Sequence, residues 1–211
     1  MLVTHICTVH QLTPVDIGRV GVTAMDKRPV DGPVRIGRFG LWGDVQCDRL
    51  NHGGYDKAVY AMSNAEMTWW ETELGERLTP GIFGENLRVD GDVDDMIIGS
   101  RYRFGTALLE VTGCRTPCRT FEWWRDEAGW MKRFIARGQS GTYFRVIETG
   151  EAQAGDSLEE VSAPGHGVST GQWFRDRPEP AQTLIDAHVR GEITLAPYFE
   201  KHLPKELREF L

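Results

Sequence analysis

The chain has 211 residues and a mass of 23.8 kDa, with 40% hydrophobic and 26% charged residues. This length and composition favour one globular domain with a small appendage, and they exclude intrinsic disorder, collagen-like repeats and coiled coil. The net charge of −7, from 24 basic and 31 acidic residues, argues against a nucleic-acid-binding protein, because contact with phosphates requires a basic surface.

The sequence also indicates the cellular compartment of the protein. No apolar run reaches the roughly 18 residues that a membrane-spanning helix needs, and the N-terminal sequence lacks the basic flank and cleavage site of a signal peptide. Four cysteines are too few for a disulfide framework. We therefore expect a cytoplasmic protein that binds neither membrane nor nucleic acid.

Most of the first 160 residues alternate short β-rich runs with Gly, Asp and Pro. Short strands at this spacing predict a β-barrel or a β-sandwich, and glycines such as Gly99 and Gly105 supply the turns. A glycine-rich phosphate loop between a strand and a long helix is missing from the sequence, so a doubly wound nucleotide fold is not supported. The predicted strands are 3–12, 34–39, 57–63, 86–89, 97–104, 107–112, 142–148 and 157–161.

Two helices are predicted between these strands. The first begins at Ser63, where Glu66 completes a capping box, and runs to about Leu78. The second covers 121–137, with apolar residues at helical spacing on one side and Thr120 as its N-cap. Its other side is basic and carries Arg125, Lys132, Arg133 and Arg137.

After residue 161 the pattern changes to linkers and helices, with a break near Pro204. A tail of this size cannot form its own core, so we expect it to dock on the main domain. We divide the chain into a β-barrel domain, 1–163, and a linker with a C-terminal helical appendage, 164–211. Within the tail, the predicted linkers are 162–167 and 175–180 and the predicted helices 181–190 and 196–211.

The segment Cys114-Arg115-Thr116-Pro117-Cys118-Arg119-Thr120 carries the clearest chemistry. It lies in 101–145, which has 9 basic and 4 acidic residues, a net charge of +5, whereas 1–100 and 146–211 each carry −6. Cys118 precedes a predicted helix and has arginines on both sides, and both features lower the pKa of a thiol. A thiolate binds soft metals or attacks electrophiles. The alternative is that Cys114 and Cys118 are small buried hydrophobes.

Three further motifs are each weaker. In Asn51-His52-Gly53-Gly54, the glycines permit close approach of a ligand and His52 could shuttle a proton, but an exposed glycine turn is the alternative. The segment 23–30 offers a hydroxyl and two cations to an anion or to solvent. Asn86 could hydrogen-bond a heterocycle or the neighbouring backbone.

Taken together, the motifs resemble the MOSC domain family, which is named for the C-terminal domain of molybdenum cofactor sulfurases. The most similar type is the stand-alone bacterial protein linked to detoxification of N-hydroxylated bases, and the resemblance covers roughly 1–165. It rests on 23–30, Gly43-Asp44, His52-Gly53-Gly54, Lys57-Ala58-Val59-Tyr60, Trp69-Trp70, Pro80-Gly81, Phe83-Gly84-Glu85-Asn86-Leu87, Arg115-Thr116-Pro117-Cys118, 141–146 and Gly155-Asp156.

The resemblance implies a mainly β fold with flanking helices (α+β), in which a MOSC-type β-barrel carries a short C-terminal helical tail. It also implies a molybdopterin-type molybdenum cofactor, with Cys118 as molybdenum ligand and catalytic group, and possible binding of pyridoxal phosphate. His52 would be the catalytic proton donor. The expected cofactor-binding residues are Thr23, Lys27, Asn86, Arg115, Arg119 and Arg133.

The implied function is an oxidoreductase that reduces N-hydroxylated bases or related N-hydroxylated small molecules. Because the sequence has no flavin or iron–sulfur signature, electrons would come from a separate reductase. Two alternatives stay open. One is a carrier of the cofactor, or of sulfur as a Cys118 persulfide. The other is a thiol redox protein that uses Cys118 and Cys114. Cys114 stands where related proteins usually have proline.

Overall fold

The computed structural model describes residues 1–18, 20–49 and 52–211, so Asn51 of the glycine-rich motif lies outside the described residues. The strands are β1 (Leu2–Val9), β2 (Thr13–Pro14), β3 (Val22–Thr23), β4 (Lys27–Pro29), β5 (Val34–Gly37), β6 (Gly40–Leu41), β7 (Val59–Ser63), β8 (Leu87–Asp90), β9 (Arg101–Phe104), β10 (Ala107–Cys114), β11 (Thr142–Glu148), β12 (Gly150–Ala152) and β13 (Leu158–Ser162). The α-helices are α1 (Asn64–Leu74), α2 (Arg119–Arg125), α3 (Trp130–Arg137), α4 (Thr170–Asp176) and α5 (Ala181–Val189), and short 3₁₀ segments span Tyr55–Lys57, Pro197–His202 and Lys205–Phe210.

Eight strands form one curved sheet in the order β13-β9-β10-β11-β7-β8-β1-β4. Its neighbours are antiparallel except for β7 and β8, which run parallel. The sheet curls until the start of β1 meets the start of β13, where Leu2 and Ser157 form a bridge and Leu158 N donates to Met1 O at 2.7 Å. The predicted α+β fold with a large sheet is confirmed.

Two small sheets complete the β structure. Strands β12, β5 and β6 form one of them, and β2 pairs with β3 in the other. Gly40 in β6 allows a close approach of two chain segments, since a Cβ at this position would lie 2.2 Å from Ala58 O. This contact holds β6 against the start of β7, beside the cleft described below.

The largest side chains of the core are aromatic and lie between the sheet and the helices. Trp70 of α1 packs on Trp130 of α3 with ring centroids 4.6 Å apart, and Phe83 packs on Phe121 of α2 at 5.3 Å. All four side chains are fully buried. Burial of this much apolar surface is the main source of stability for the arrangement of α1, α2 and α3.

Helix α1 begins as predicted, with the Ser63 side chain accepting a hydrogen bond from Glu66 N at 3.1 Å. It ends at Leu74 rather than near Leu78, because Gly75 adopts a left-handed conformation with φ of 68°. A glycine is the usual residue at such a helix end.

The single predicted helix over 121–137 is wrong, because the chain forms α2 and α3 with a break between them. Asp126 ends α2 with φ of 50°, and Gly129 precedes α3 with φ of 67°. The N-cap of α2 is Cys118 rather than Thr120. The apolar side also differs from the prediction, since Ile135 is 54% exposed while Trp130 and Phe134 are buried.

The residues after 163 pack on the sheet. Trp173 of α4, a helix that the sequence did not predict, stacks on Phe199 with ring centroids 5.0 Å apart. Gly113 of β10 permits this docking, since a Cβ there would lie 2.4 Å from Tyr198 Oη. In place of the predicted helix over 196–211 there are two 3₁₀ segments separated by Pro204. In the described part of the chain, every helix is too short or too polar to cross a membrane.

Candidate cofactor-binding and active site

A cleft with about 970 Å³ of empty space, counting its open mouth, lies at one end of the curved sheet. It is enclosed by the β2–β3 hairpin, the 44–48 loop, the 52–60 segment and the 115–120 segment. The structure brings six of the predicted site residues into its wall from separate parts of the sequence. They are Thr23, Lys27, His52, Asn86, Arg115 and Cys118.

Cys118 lies four residues after the end of β10 and is the N-cap of α2, half-buried in the cleft wall. Burial raises the pKa of its thiol, but a hydrogen bond with His52 and the positive charges of Arg115 and His52 outweigh burial. The backbone N–H of Phe121 acts in the same direction, and the pKa falls from 9.0 to about 7. A substantial fraction of Cys118 is therefore thiolate at neutral pH, which is the form that binds metals and acts as nucleophile.

Arg115 is a buried cation close to Cys118, with only 6% of its surface exposed. It donates to Phe83 O, and its guanidinium carbon lies 3.9 Å from the ring centre of Phe121 and 5.0 Å from that of Tyr60. Among the described residues, no carboxylate forms a salt bridge with it. A buried guanidinium of this kind favours an anion in the cleft, either the Cys118 thiolate or a ligand.

The turn before Asn86 packs against Met25 and Arg115. Gly84 has φ of 75°, and a Cβ there would lie 2.8 Å from the sulfur of Met25. Glu85 is fully buried and accepts hydrogen bonds from Gly81 N at 2.6 Å and Phe83 N at 2.9 Å, and it pairs with Arg88. These bonds fix the backbone that presents Phe83 O and Asn86.

Lys27 and Asn86 both bind Asp44, a residue that the sequence analysis did not assign to the site. Lys27 Nζ lies 2.6 Å from Asp44 Oδ2, and Asn86 Nδ2 donates to the same oxygen at 2.8 Å. Asn86 Oδ1 accepts from Tyr60 N at 3.1 Å. The charge of Lys27 is therefore balanced by Asp44 within the protein. The Asn86 side chain bonds to neighbouring protein groups, which was the alternative to binding a heterocycle.

Arg119 and Arg133, predicted to bind the cofactor, are not in the wall of the cleft. Arg119 is exposed at the start of α2. Arg133 lies on α3 and pairs with Glu73 at 3.2 Å and with Glu127 at 3.4 Å. The basic side of α3 faces carboxylates of α1 instead of the cleft, so we leave both arginines out of the candidate site.

The other cysteines differ in position and reactivity. Cys114 is buried, and burial is the main cause that raises the pKa of its thiol to about 12. This does not favour Cys114 as a redox partner of Cys118. Cys47 is a second thiol in the cleft wall. Burial and Asp44 raise the pKa of the Cys47 thiol, and no motif in the sequence marked it.

The sequence model of a family described as MOSC domain matches residues 48–159. Over 148 residues the chain is 34% identical to YflK of Bacillus subtilis (strain 168), covering 70% of this chain and 67% of that protein. Over 151 residues it is 32% identical to a protein named Reductase from Gibberella moniliformis (strain M3125 / FGSC 7600), covering 67% of this chain but only 26% of that protein. The crystal structure of YiiM from Geobacillus stearothermophilus aligns with a TM-score of 0.69 at 25% identity, covering 99% of this chain and 95% of that one.

Proposed function

The chain belongs to the MOSC domain family, and on that premise we propose that it is a molybdenum-cofactor-binding oxidoreductase that reduces N-hydroxylated bases or related N-hydroxylated compounds. Membership of the family is consistent with a function associated with the molybdenum cofactor. The relative named Reductase supports an oxidoreductase, although the chain spans only about a quarter of its length. The observation that carries the proposal is the Cys118 thiol of lowered pKa, held beside Arg115 and His52 in one cleft.

The cleft residues fit such a cofactor in donor type and in charge. A thiolate is a soft ligand suited to a transition metal, and Arg115 supplies positive charge for an anionic group. Among the described residues, no three or more His, Cys, Asp or Glu side chains are grouped as a metal site. Cys118 is therefore proposed as the protein's ligand, with the remaining ligands contributed by the cofactor. When bound, the cofactor would supply the redox chemistry that removes the hydroxyl oxygen from nitrogen.

His52 is proposed to supply a proton during this reduction. Loss of an N-hydroxyl oxygen as water consumes protons, and an imidazole is the side chain that most readily donates one near neutral pH. Its backbone N–H donates to Asp48 O at 2.9 Å, which links His52 to the 44–48 loop. The hydrogen bond with Cys118 places the ring next to the proposed metal ligand.

The two electrons are proposed to come from a separate reductase. The proposed substrate is a small molecule that enters through the open mouth of the cleft. We expect cofactor-loaded protein, supplied with a chemical reductant such as reduced methyl viologen, to convert 6-hydroxylaminopurine to adenine. Cys118→Ala protein treated in the same way should not. The matched control is Cys47→Ala, which removes the other cleft thiol and should leave the conversion intact.

The carrier alternative predicts a different outcome of the same experiment. Loaded wild-type protein that never consumes the N-hydroxylated base, yet transfers cofactor or sulfur to an acceptor enzyme, would contradict the oxidoreductase and support the carrier. Both functions require the Cys118 thiolate, so only the fate of the substrate distinguishes them.

A further inference from the structure

Exposed arginine and aromatic side chains are grouped around strands β5 and β6, beside the mouth of the cleft. We propose that this group, the aromatic–arginine patch, is the docking surface for an acidic electron-transfer protein. The role of that partner as electron donor rests on the proposed function, whereas the patch itself rests on exposure, contacts and charge. The patch consists of Arg35, Arg38, Phe39, Trp42, Arg49 and Tyr55.

The aromatic side chains of the patch are open to solvent. Trp42 is 76% exposed, the largest fraction for any large hydrophobic side chain in the part of the chain that the structure describes. Phe39 and Tyr55 come from separate segments and stack on each other, with ring centroids 4.3 Å apart and planes 22° apart. Contiguous exposed apolar surface marks interaction sites, and tryptophan, tyrosine and arginine contribute most to the binding energy of interfaces.

Each arginine of the patch lies over one of these rings. The distance from guanidinium carbon to ring centre is 5.7 Å for Arg35 and Trp42, 5.0 Å for Arg38 and Tyr55, and 5.0 Å for Arg49 and Phe39. A guanidinium stacked on a ring keeps N–H donors at its edge for a carboxylate. Stacking also orders the long side chain before binding, which lowers the entropy cost of docking.

The positive charge of the patch is not balanced within the protein. Glu151 of β12 lies opposite Arg35 in the sheet, but within the described residues no arginine of the patch forms a salt bridge. Two acidic residues close to the patch in sequence are already paired, Asp44 with Lys27 and Asp56 with Arg145.

This charge selects the kind of partner. Complementary potentials steer two proteins together, so a group of cations favours a partner with an acidic surface. A second copy of this chain does not fit as well, because a two-fold contact would place the patch against itself and bring like charges together. Electron-transfer complexes are transient and have small interfaces, which suits a patch of this size.

Gln46 connects the patch with the cleft. Its side chain is in the cleft wall, and its Nε2 donates to Phe39 O and to Lys57 O, both at 3.1 Å. Its Oε1 accepts from Gly54 N at 2.7 Å, two residues after His52. A protein docked on the patch would therefore lie beside the edge of the cleft that carries His52.

The test measures binding of a plant-type ferredoxin, a small acidic electron carrier, to the full chain by calorimetry. We expect saturable binding that weakens with added salt, and a loss of about tenfold in affinity in Arg38→Gln and in Trp42→Ala. Both side chains are exposed, so both variants should fold. The control is Arg77→Gln, which removes the same charge at an exposed position outside the patch and should bind as wild type does.

Absence of saturable binding, or unchanged affinity in Arg38→Gln and Trp42→Ala, would overturn the docking surface. A dimer in sedimentation that Trp42→Ala dissociates would also overturn it, since a second copy would then occupy the patch. Conversion of 6-hydroxylaminopurine by loaded wild-type protein with reduced methyl viologen tests the proposed function without a protein donor. Patch-dependent binding without this conversion would overturn the proposed function and keep the docking surface. Conversion without patch-dependent binding would overturn the docking surface alone.

Discussion

The His52 side chain hydrogen-bonds the Cys118 thiol, and this pair joins the glycine-rich loop before β7 to the N-terminal end of α2. Burial alone would raise the pKa of the thiol, so the reactivity of Cys118 depends on the groups around it. The reactivity of the Cys118 thiol therefore reports directly on whether His52 is in place beside it.

We expect alkylation of Cys118 by iodoacetamide to rise with a midpoint near pH 7 in wild-type protein. In His52→Gln the midpoint should move up, because burial then opposes ionisation with less compensation. The rate is read by mass spectrometry of the peptide that contains Cys118. His10→Gln, the same substitution at an exposed histidine outside the cleft wall, serves as the control. A midpoint near 9 in wild type, or one that His52→Gln leaves in place, would contradict the pairing.

The charge of Arg115 should affect both reactivity and stability. Arg115→Met keeps a long apolar side chain over Phe121 but removes the cation, so the alkylation midpoint of Cys118 should rise. It also leaves the carbonyl of Phe83 without its donor, which should lower the free energy of unfolding by roughly 1–3 kcal/mol. Urea denaturation and the alkylation profile measure the two effects. Arg119→Met, at an exposed position next to the same thiol, should change stability little.

Asp94 should make stability depend on pH. It is buried and accepts hydrogen bonds from Ser140 N and Gly141 N, and burial is the main cause that raises its pKa from 3.8 to about 6. Its contribution is fully present below pH 3.8 and is lost as pH rises through about 6, because over this range the folded protein binds more protons than the unfolded chain. The loss is on the order of 2–3 kcal/mol.

Asp94→Asn should remove this part of the pH dependence. The measurement is the difference in free energy of unfolding between variant and wild type at several pH values from 4 to 7, which cancels the other titrating groups. Asp95→Asn, at an exposed neighbouring position, is the control for the substitution itself. A difference for Asp94→Asn that does not change with pH would contradict the raised pKa of Asp94.

The tail should unfold together with the main domain. Trp173 is fully buried and belongs to the same hydrophobic cluster as the sheet, so Trp173→Ala should cost roughly 3–5 kcal/mol. We expect one cooperative transition in calorimetry, with a lower midpoint in the variant. Val189→Ala, 64% exposed in the same tail, should stay within roughly 0.5 kcal/mol of wild type. A separate low-temperature transition for the tail would contradict shared packing.

Much of the sheet could be predicted from the sequence, because the longer strands are β-rich runs bounded by Gly, Asp and Pro. Short strands such as β6 and β12 could not, since each exists through its pairing partners and not through its own pattern. The break between α2 and α3 was missed because an aspartate in the left-handed conformation at 126 leaves the helical spacing of apolar residues almost undisturbed.

The candidate site, like the fold, could be predicted only in part from the sequence. Motif order indicated that His52, Arg115 and Cys118 would meet, and the structure places them in one cleft. The basic side of α3 could not be assigned from sequence, because a helical stripe of charge does not reveal that Glu73 and Glu127 face it.

The molybdenum content of the purified protein tests the central claim, that Cys118 is the ligand of the cofactor metal. Wild type, Cys118→Ala and Cys47→Ala are expressed in a molybdenum-replete host, and metal and pterin are determined per chain after purification. The account predicts molybdenum and pterin in wild type and Cys47→Ala, and a strong loss of molybdenum in Cys118→Ala. Equal molybdenum in wild type and Cys118→Ala would contradict it.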